Sequence, residues 1–484
     1  MATSAQPFSG KCCLLESHFC KLPSQSNVYG LAKVFMPSGM NKILVASLCG
    51  KVISMEYQKT RPSSQEIHFT YIPGDAQVVS IDAFNKSFQS NGVVVGITFI
   101  KEGPDGKPVP FINIYSDWEQ GSEYNLASIA QGCFSLELPC IPYYLSHAQL
   151  FMQGSIETVF LLSGSDNQVH LFREDKFQHM FFKEDTLHLF PEFESTPSPI
   201  LWFNMRYFDE HKRRLAAYGC QNGFLKVTLV NTETMKVLNE WTAQHDTPVT
   251  SVKLFTLQTE AEYPSFLASS ADSVCSVDDS ESESNIVPEY HLVVTSALEV
   301  SVVYRHILER GLYDQLVLPE SDKYDCVLST CVADVDFDGN NEILLATYGH
   351  KLLAYKFISR KLKLGQSSGH HSNQPSDPSV LHAHTQKHKP SLTDGDYKMI
   401  WQRSFADPLL AVEQVDLLGD GMLELAVLSL RGLHILQHDL DEAGELCERR
   451  LRELTRTLPE LDAFQQLQSE NLMESTQTQS SDSA

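Results

Sequence analysis

Runs of four or five apolar residues, often closing on Ala-Thr, Ala-Ser or Gly, are followed by a tight polar turn and a second apolar run, and this unit recurs seven times along the chain. The copies span 43–57, 93–115, 159–172, 215–230, 292–304, 343–357 and 425–436. The clearest pair is ILVASLCGKVISMEY beside ILLATYGHKLLAYKF, where strand, Gly-containing turn and strand keep the same spacing. Short apolar runs rich in β-branched residues and bounded by turn residues predict β-hairpins. A third run precedes each hairpin, at 28–35, 76–84, 143–151, 200–207, 248–257, 326–335 and 409–415. These runs carry the Val, Ile, Phe and Tyr that suit a half-buried pleated surface. Repeats that start roughly 50 to 80 residues apart, insertions included, predict small sheets arranged radially. The fold class expected is therefore all-β, a β-propeller of about seven blades.

A single blade cannot bury both faces of its sheet, so each depends on its neighbours and the ring must close to remove exposed ends. Closure is expected to join the first and last blades. The boundaries predicted are an N-terminal segment at 1–25, a propeller at 26–440, a C-terminal amphipathic helix at 441–468 and a disordered tail at 469–484. The helix rests on Leu446, Leu451, Leu454, Leu458, Leu461, Phe464 and Leu467, spaced largely by three and four, with Pro459 as a bend. It has two readings, packing on the propeller or docking in another protein's groove. Residues 270–288, containing DDSESES, and 364–396, rich in Ser, Gly, Pro and His, lack periodicity and are expected to be disordered insertions.

Composition narrows the partners. The 484 residues are 42% hydrophobic, enough for a core shared among many sheets. No apolar run reaches the ~18–20 residues of a membrane-spanning helix, and the first thirty residues lack the pattern of a signal peptide. Eleven cysteines without a CxxC pattern predict reduced thiols in the cytoplasm. A formal charge of −24 argues against nucleic acid as a partner, because such binding is driven by Lys and Arg against phosphate. Basic clusters exist at Lys212-Arg213-Arg214, at 356–363 and at Arg449, Arg450, Arg452 and Arg456, and charge patterning reads them first as solvated turns or helix faces. No GxxxxGK[ST], GxSxG or HExxH occurs, so an enzyme is not expected.

One constellation carries definite chemistry. Asp334, Asp336, Asp338, Gly339 and Glu342 stand directly before the strand at 343–347. Alternate carboxylates along a tight loop converge their oxygens, and hard cations such as Ca²⁺ or Mg²⁺ take such oxygen ligands. A weaker copy, Asp416, Asp420, Gly421 and Glu424, enters the strand at 425–428 with Leu418 at one ligand position. The other reading is a tight Asx/Gly turn without an ion. Both loops resemble the FG-GAP repeat of integrin α-subunit propellers.

Longer stretches carry a more specific resemblance. SQSNVYGLA at 24–32, YIPGDAQVVSIDAFNKS at 71–87, GVVVGITFI at 92–100, GSEYNLASIAQGC at 121–133 and VVYRHILERGLYDQLVLP at 302–319 are similar to the kaptin family, as are the two Asp-rich blades. The resemblance covers most of 24–357 and 401–438 but neither insertion. It implies a non-catalytic scaffold subunit of a KICSTOR-like complex, with other KICSTOR subunits as partners, including an integrin-α FG-GAP-repeat protein. Through that complex it implies recruitment of the GATOR GTPase-activating complex to the lysosomal surface and restraint of mTOR signalling when amino acids or glucose are scarce. It also implies an association with actin filaments in lamellipodia and stereocilia. A Ca²⁺-regulated propeller adaptor and a propeller enzyme are the remaining alternatives.

Overall fold

In the computed structural model, residues 12–35, 41–59, 61–85, 92–116, 126–152, 155–175, 178, 180–258, 288–359, 395–452 and 455 are described. Apart from residues 288, 395 and 396, the two insertions lie outside them, as does the tail. The described strands form seven four-stranded antiparallel sheets. Each sheet is a blade, and the third-strand runs read from sequence become the innermost strands: Leu31–Val34, Gln77–Asn85, Pro142–Met152, Ile200–Phe208, Val249–Phe255, Val327–Ala333 and Leu409–Val415. The hairpins supply the two middle strands of every blade. The propeller expectation therefore holds, with seven blades.

A fourth, outer strand completes each blade. In blades one to six it follows the hairpin, as in Arg61–Ile67 and Lys236–Gln244. In blade seven it comes from the other end of the chain. Leu14–Lys21, within the segment that sequence leaves outside the propeller, pairs antiparallel with Gly432–His438. The last blade is thus built from both termini, and this pairing closes the ring.

The core lies between blades. Leu44 and Val52 of blade one pack with Ile81 and Val95 of blade two, and Ile43 and Met55 pack with Leu428 and Ile435 of blade seven. All of these are buried. Fully burying one such side chain stabilises by about 1.5–3 kcal/mol, so neighbouring blades hold each other. Six of the seven inner strands shift register near their start, for example between Val78 and Ser80 and between Val327 and Ser329. A bulge leaves a backbone group unpaired. Hydroxyls meet that need: Thr98 Oγ1 accepts from the Ser80 amide at 3.1 Å, and Ser163 Oγ from the Tyr144 amide at 3.1 Å.

The Lys212-Arg213-Arg214 cluster is not a surface patch. Lys212 pairs with Glu210 and Arg213 with Asp209. Arg214, at the strand position that faces the core, is fully buried against Phe190, with its Nε 2.7 Å from Glu192 Oε1 and an Nη2 2.9 Å from Glu192 Oε2. Removing one partner strands an uncompensated charge in the core, which costs roughly 3–5 kcal/mol. Glu192→Ala is expected to lower unfolding stability by about that amount, measured by urea denaturation. A loss below about 1 kcal/mol would mean that the guanidinium finds water or another partner.

Candidate functional site

The two Asp-rich loops connect the inner strand to the next strand in blades six and seven, on the same face of the ring. They fold alike, with one amide donor displaced by a residue. Asp334 accepts from the amides of Asp338 (3.1 Å) and Gly339 (2.8 Å), and Asp416 accepts from those of Gly419 (2.6 Å) and Gly421 (3.0 Å). Asp338 Oδ1 accepts from the Asn340 amide and Asp420 Oδ1 from the Met422 amide, both at 2.9 Å. Glu342 Oε2 accepts from the Val335 amide at 2.9 Å, and Glu424 Oε2 from the Leu417 amide at 2.7 Å. Gly339 and Gly421 occupy φ of +85° and +83°, where a side chain would strain the backbone.

Carboxylate oxygens of Asp334, Asp336 and Asp338 lie within 4.8 Å of one another, so the convergence expected from their spacing is present. What the spacing does not reveal is a fifth participant. Lys356, on the strand Lys351–Ser359, places its Nζ 2.5 Å from Asp336 Oδ2, 2.8 Å from Asp338 Oδ2 and 2.7 Å from Glu342 Oε1. Burial opposes its charge, yet the three carboxylates raise its pKa. Burial pushes Glu342 up to about 7 against the pull of Lys356 and the Val335 amide, and the same burial pushes Glu424 up to about 7.

Of the positions that carry charge in blade six, blade seven differs at two. Register pairs Ile343 with Tyr355 and Leu425 with Leu436, so Gln437 stands where Lys356 stands. Gln437 Nε2 faces Glu424 Oε1 at 3.4 Å. Leu418 stands where Asp336 stands. Blade six therefore has an extra carboxylate and an extra ammonium, blade seven has neither, and both loops carry the same formal charge. A divalent ion at the focus of the blade-six carboxylates would sit against the Lys356 ammonium. These residues do not fit an added cation while Lys356 is among them, and we infer that the lysine supplies the positive charge. In blade seven Asp416 spends both oxygens on backbone amides and Leu418 lines the remaining space of about 30 Å³, which suits a turn better than an ion.

The central channel is occupied by its own side chains. Tyr29 of blade one donates to the Leu201 carbonyl of blade four at 2.9 Å, and its ring lies 5.5 Å from Tyr144 and 5.9 Å from Trp202. Tyr144 and Trp202 stack at 4.5 Å. Rings from blades one, three and four meet only at the axis, so they plug the end of the channel where the inner strands begin. Farther along, Lys33 pairs with Glu413 at 3.0 Å and His147 with Asp82 at 2.8 Å. Burial works against the charge of Glu413, but Lys33, Lys253 and Arg206, from blades one, five and four, hold its pKa below the usual carboxylate range.

The C-terminal helix runs over 440–452 among the described residues and leaves Leu440 and Leu451 exposed at 69% and 57%. Ala443 and Leu446 are half-buried, so its apolar side is covered only in part. Arg452 pairs with Glu448, and Lys356 of the second basic cluster belongs to the Asp loop. Residues 360–363 and 456–468 lie outside the described residues.

Fold and loops together define a closed seven-bladed propeller with internally paired polar centres. Residues 14–448 match the family described as KICSTOR complex protein kaptin. The chain is 43% identical over 447 residues to the KICSTOR complex protein kaptin of Mus musculus, covering 92% of each. It belongs to the kaptin family. Among solved structures it is similar to the Dos1 propeller, with a TM-score of 0.47 and 9% identity over 89% of this chain and 97% of that one. It is also similar to the Cps50 (Swd1) β-propeller domain of Myceliophteria thermophila, with a TM-score of 0.45 and 8% identity over 87% of this chain and 99% of that one.

Lys356→Gln should cost roughly 3 kcal/mol, because it leaves Asp336, Asp338 and Glu342 facing each other. The double substitution Asp336→Leu with Lys356→Gln recreates the blade-seven pair and should recover most of that loss, measured by urea denaturation. With the protein first stripped of zinc, the wild-type melting temperature should not change on adding millimolar Ca²⁺ or Mg²⁺, whereas that of Lys356→Gln should rise with either ion by mass action. A stoichiometric Ca²⁺ site in the wild type, lost in Asp338→Ala, would reverse the assignment.

Proposed function

We propose that this chain is a non-catalytic scaffold subunit of a KICSTOR complex, which through its partners recruits the GATOR complex to the lysosomal surface and restrains mTOR signalling when amino acids or glucose are scarce. The observation that carries this reading is the family match over 14–448, which takes in all seven blades and the closing strand. A rigid ring with a plugged channel offers rims and loop faces for binding. No helix among the described residues is long and apolar enough to cross a membrane, so residence at the lysosome would come through partners. The partners expected are the other KICSTOR subunits, including an integrin-α FG-GAP-repeat protein.

The exposed Leu440 and Leu451 of the helix at 440–452 support partner docking over packing on the propeller. It also keeps the actin reading in view, since Arg449, Arg450 and Arg452 lie exposed on it while the Lys212–Arg214 cluster is neutralised. Filaments are acidic, so any direct contact would run through this helix and weaken with salt.

If the ring is the working unit, activity should fail through the fold. Val94 and Leu344 are fully buried between blades, and an aspartate at either would place an unpaired charge in the core at a cost of several kcal/mol. Val94→Asp and Leu344→Asp are expected to lose coprecipitation with the other KICSTOR subunits and to leave mTOR signalling high during starvation. Ser282→Ala and deletion of 470–484 should do neither. A normal starvation response from Leu344→Asp protein at normal abundance would sink the scaffold reading.

A chain ending at Asp439 should keep its melting transition yet lose most partner coprecipitation. If it instead keeps its partners but no longer pellets with actin filaments, the helix serves actin.

A further inference from the structure

A second cluster of ligating side chains lies far from the Asp loops, on the opposite face of the ring. Cys140 sits on the link between blades two and three, just before the inner strand Pro142–Met152. Asp166 and His170 belong to the hairpin of blade three, between and within the strands Ser155–Gly164 and Val169–Asp175. His170 Nε2 lies 3.3 Å from Cys140 Sγ and 3.1 Å from Asp166 Oδ2, and all three ligand atoms lie within 4.8 Å of one another. Cys140 and His170 are buried, while Asp166 reaches solvent.

One ring nitrogen faces two partners here, and it carries at most one proton. It can donate to the carboxylate or to the sulfur, and the other contact is then left without a donor unless the thiol provides it. A cation at the centre would satisfy all three atoms at once. The observed separations are close to the edges of a tetrahedron built on Zn–S of about 2.3 Å and Zn–N and Zn–O of about 2.0–2.1 Å, roughly 3.5 Å and 3.3 Å.

Gly164 gives an independent sign that the space is kept for convergence. A Cβ there would stand 2.5 Å from Cys140 Sγ, 2.7 Å from Asp166 Oδ1 and 3.3 Å from His170 Nε2. The missing side chain lets the three groups close on one point. The cluster is also held from outside. Asp166 Oδ1 accepts from the Gln168 amide at 3.2 Å, fixing the carboxylate. Ser165 donates from its amide to the Ile141 carbonyl at 2.9 Å and accepts from the Ile141 amide on its Oγ at 3.1 Å, tying the link to the hairpin.

We propose that Cys140, Asp166 and His170 form a binding site for a thiophilic divalent cation, zinc above all, with the fourth position open to solvent. One thiolate, one imidazole and one carboxylate are the donors that zinc takes and that Mg²⁺ or Ca²⁺ does not favour. Binding breaks the S–H bond of Cys140, forms the metal–sulfur bond and releases that proton to solvent; no oxidation is involved. The bound ion staples the link between blades two and three to the hairpin of blade three, and its open position presents a Lewis-acidic point on that face.

The test uses the full chain, stripped with chelator and titrated with Co²⁺ as a spectroscopic probe and with Zn²⁺. The expected result is one ion per chain with a thiolate-to-cobalt absorption, and a melting temperature that rises with Zn²⁺. Cys140→Ser should abolish the absorption. Asp166→Asn, at an exposed position and so harmless to folding, should keep the absorption and weaken zinc affinity roughly tenfold or more. His-rich residues 370–388 can bind cobalt without a thiolate, so the sulfur band rather than total metal decides. An unchanged spectrum in Cys140→Ser, or no thiolate band and no zinc-dependent melting shift in the wild type, would overturn the assignment.

Discussion

The pairing of Leu14–Lys21 with Gly432–His438 is the constraint on which the ring depends. A row of sheets that ends without closure leaves interblade faces bare, and closing a chain of this length costs about 5 kcal/mol in loop entropy alone. The closing strand meets that cost by serving three blades. Leu14 packs into the cluster between blades six and seven, and Cys20 belongs to the cluster between blades seven and one. Its carbonyl at Leu14 accepts from Arg403 of blade six at 2.7 Å, and Ser17 shares a 3.0 Å hydrogen bond with the Tyr57 hydroxyl of blade one. One eight-residue strand therefore acts as a clasp rather than as the edge of a single sheet.

Charge is handled inside this ring by pairing. A chain with a formal charge of −24 still buries Arg214 against Glu192 and encloses Lys356 among three carboxylates. Such pairs add little net stability over apolar packing, yet removing one member is costly, so they act as locks on a particular arrangement. The Asp loops illustrate this. Blades six and seven share the same amide-capped carboxylate, the same left-handed glycine and the same closing glutamate, and they differ by a matched pair, Asp336 with Lys356 against Leu418 with Gln437. Had Lys356 been independent of Asp336, one loop would have gained a charge without its partner.

Legibility in the sequence followed burial. The strand Val93–Glu102 begins with seven successive buried residues and Glu342–Thr347 is buried throughout, so both announce themselves as apolar runs. Outer strands have little reason to be apolar: Arg61–Ile67 buries one residue of seven, and Lys236–Gln244 buries none. Leu14–Lys21 mixes Glu, Ser and His with its apolar positions, and its partner lies over four hundred residues away, beyond any local pattern. The candidate sites divide in the same way. Asp334, Asp336 and Asp338 were readable because a turn brings near neighbours together, whereas Lys356 reaches them from the next strand but one. Arg214 looked solvated inside a basic triplet because Glu192 stands well upstream, and Cys140 meets His170 only because the link between two blades packs on a hairpin.

This distribution of chemistry bears on what the ring can do. Its channel is plugged by Tyr29, Tyr144 and Trp202, and beyond the plug Lys33 pairs with Glu413 and His147 with Asp82 between neighbouring blades. A substrate would have to displace aromatic packing and ion pairs that also hold blades together. Apolar side chains are left uncovered elsewhere: Leu440 and Leu451 on the helix over 440–452, and Met180 and Phe182 on the outer strand Met180–Glu184. Both features sit on the periphery, and the helix follows directly from the strand that the N-terminus clasps.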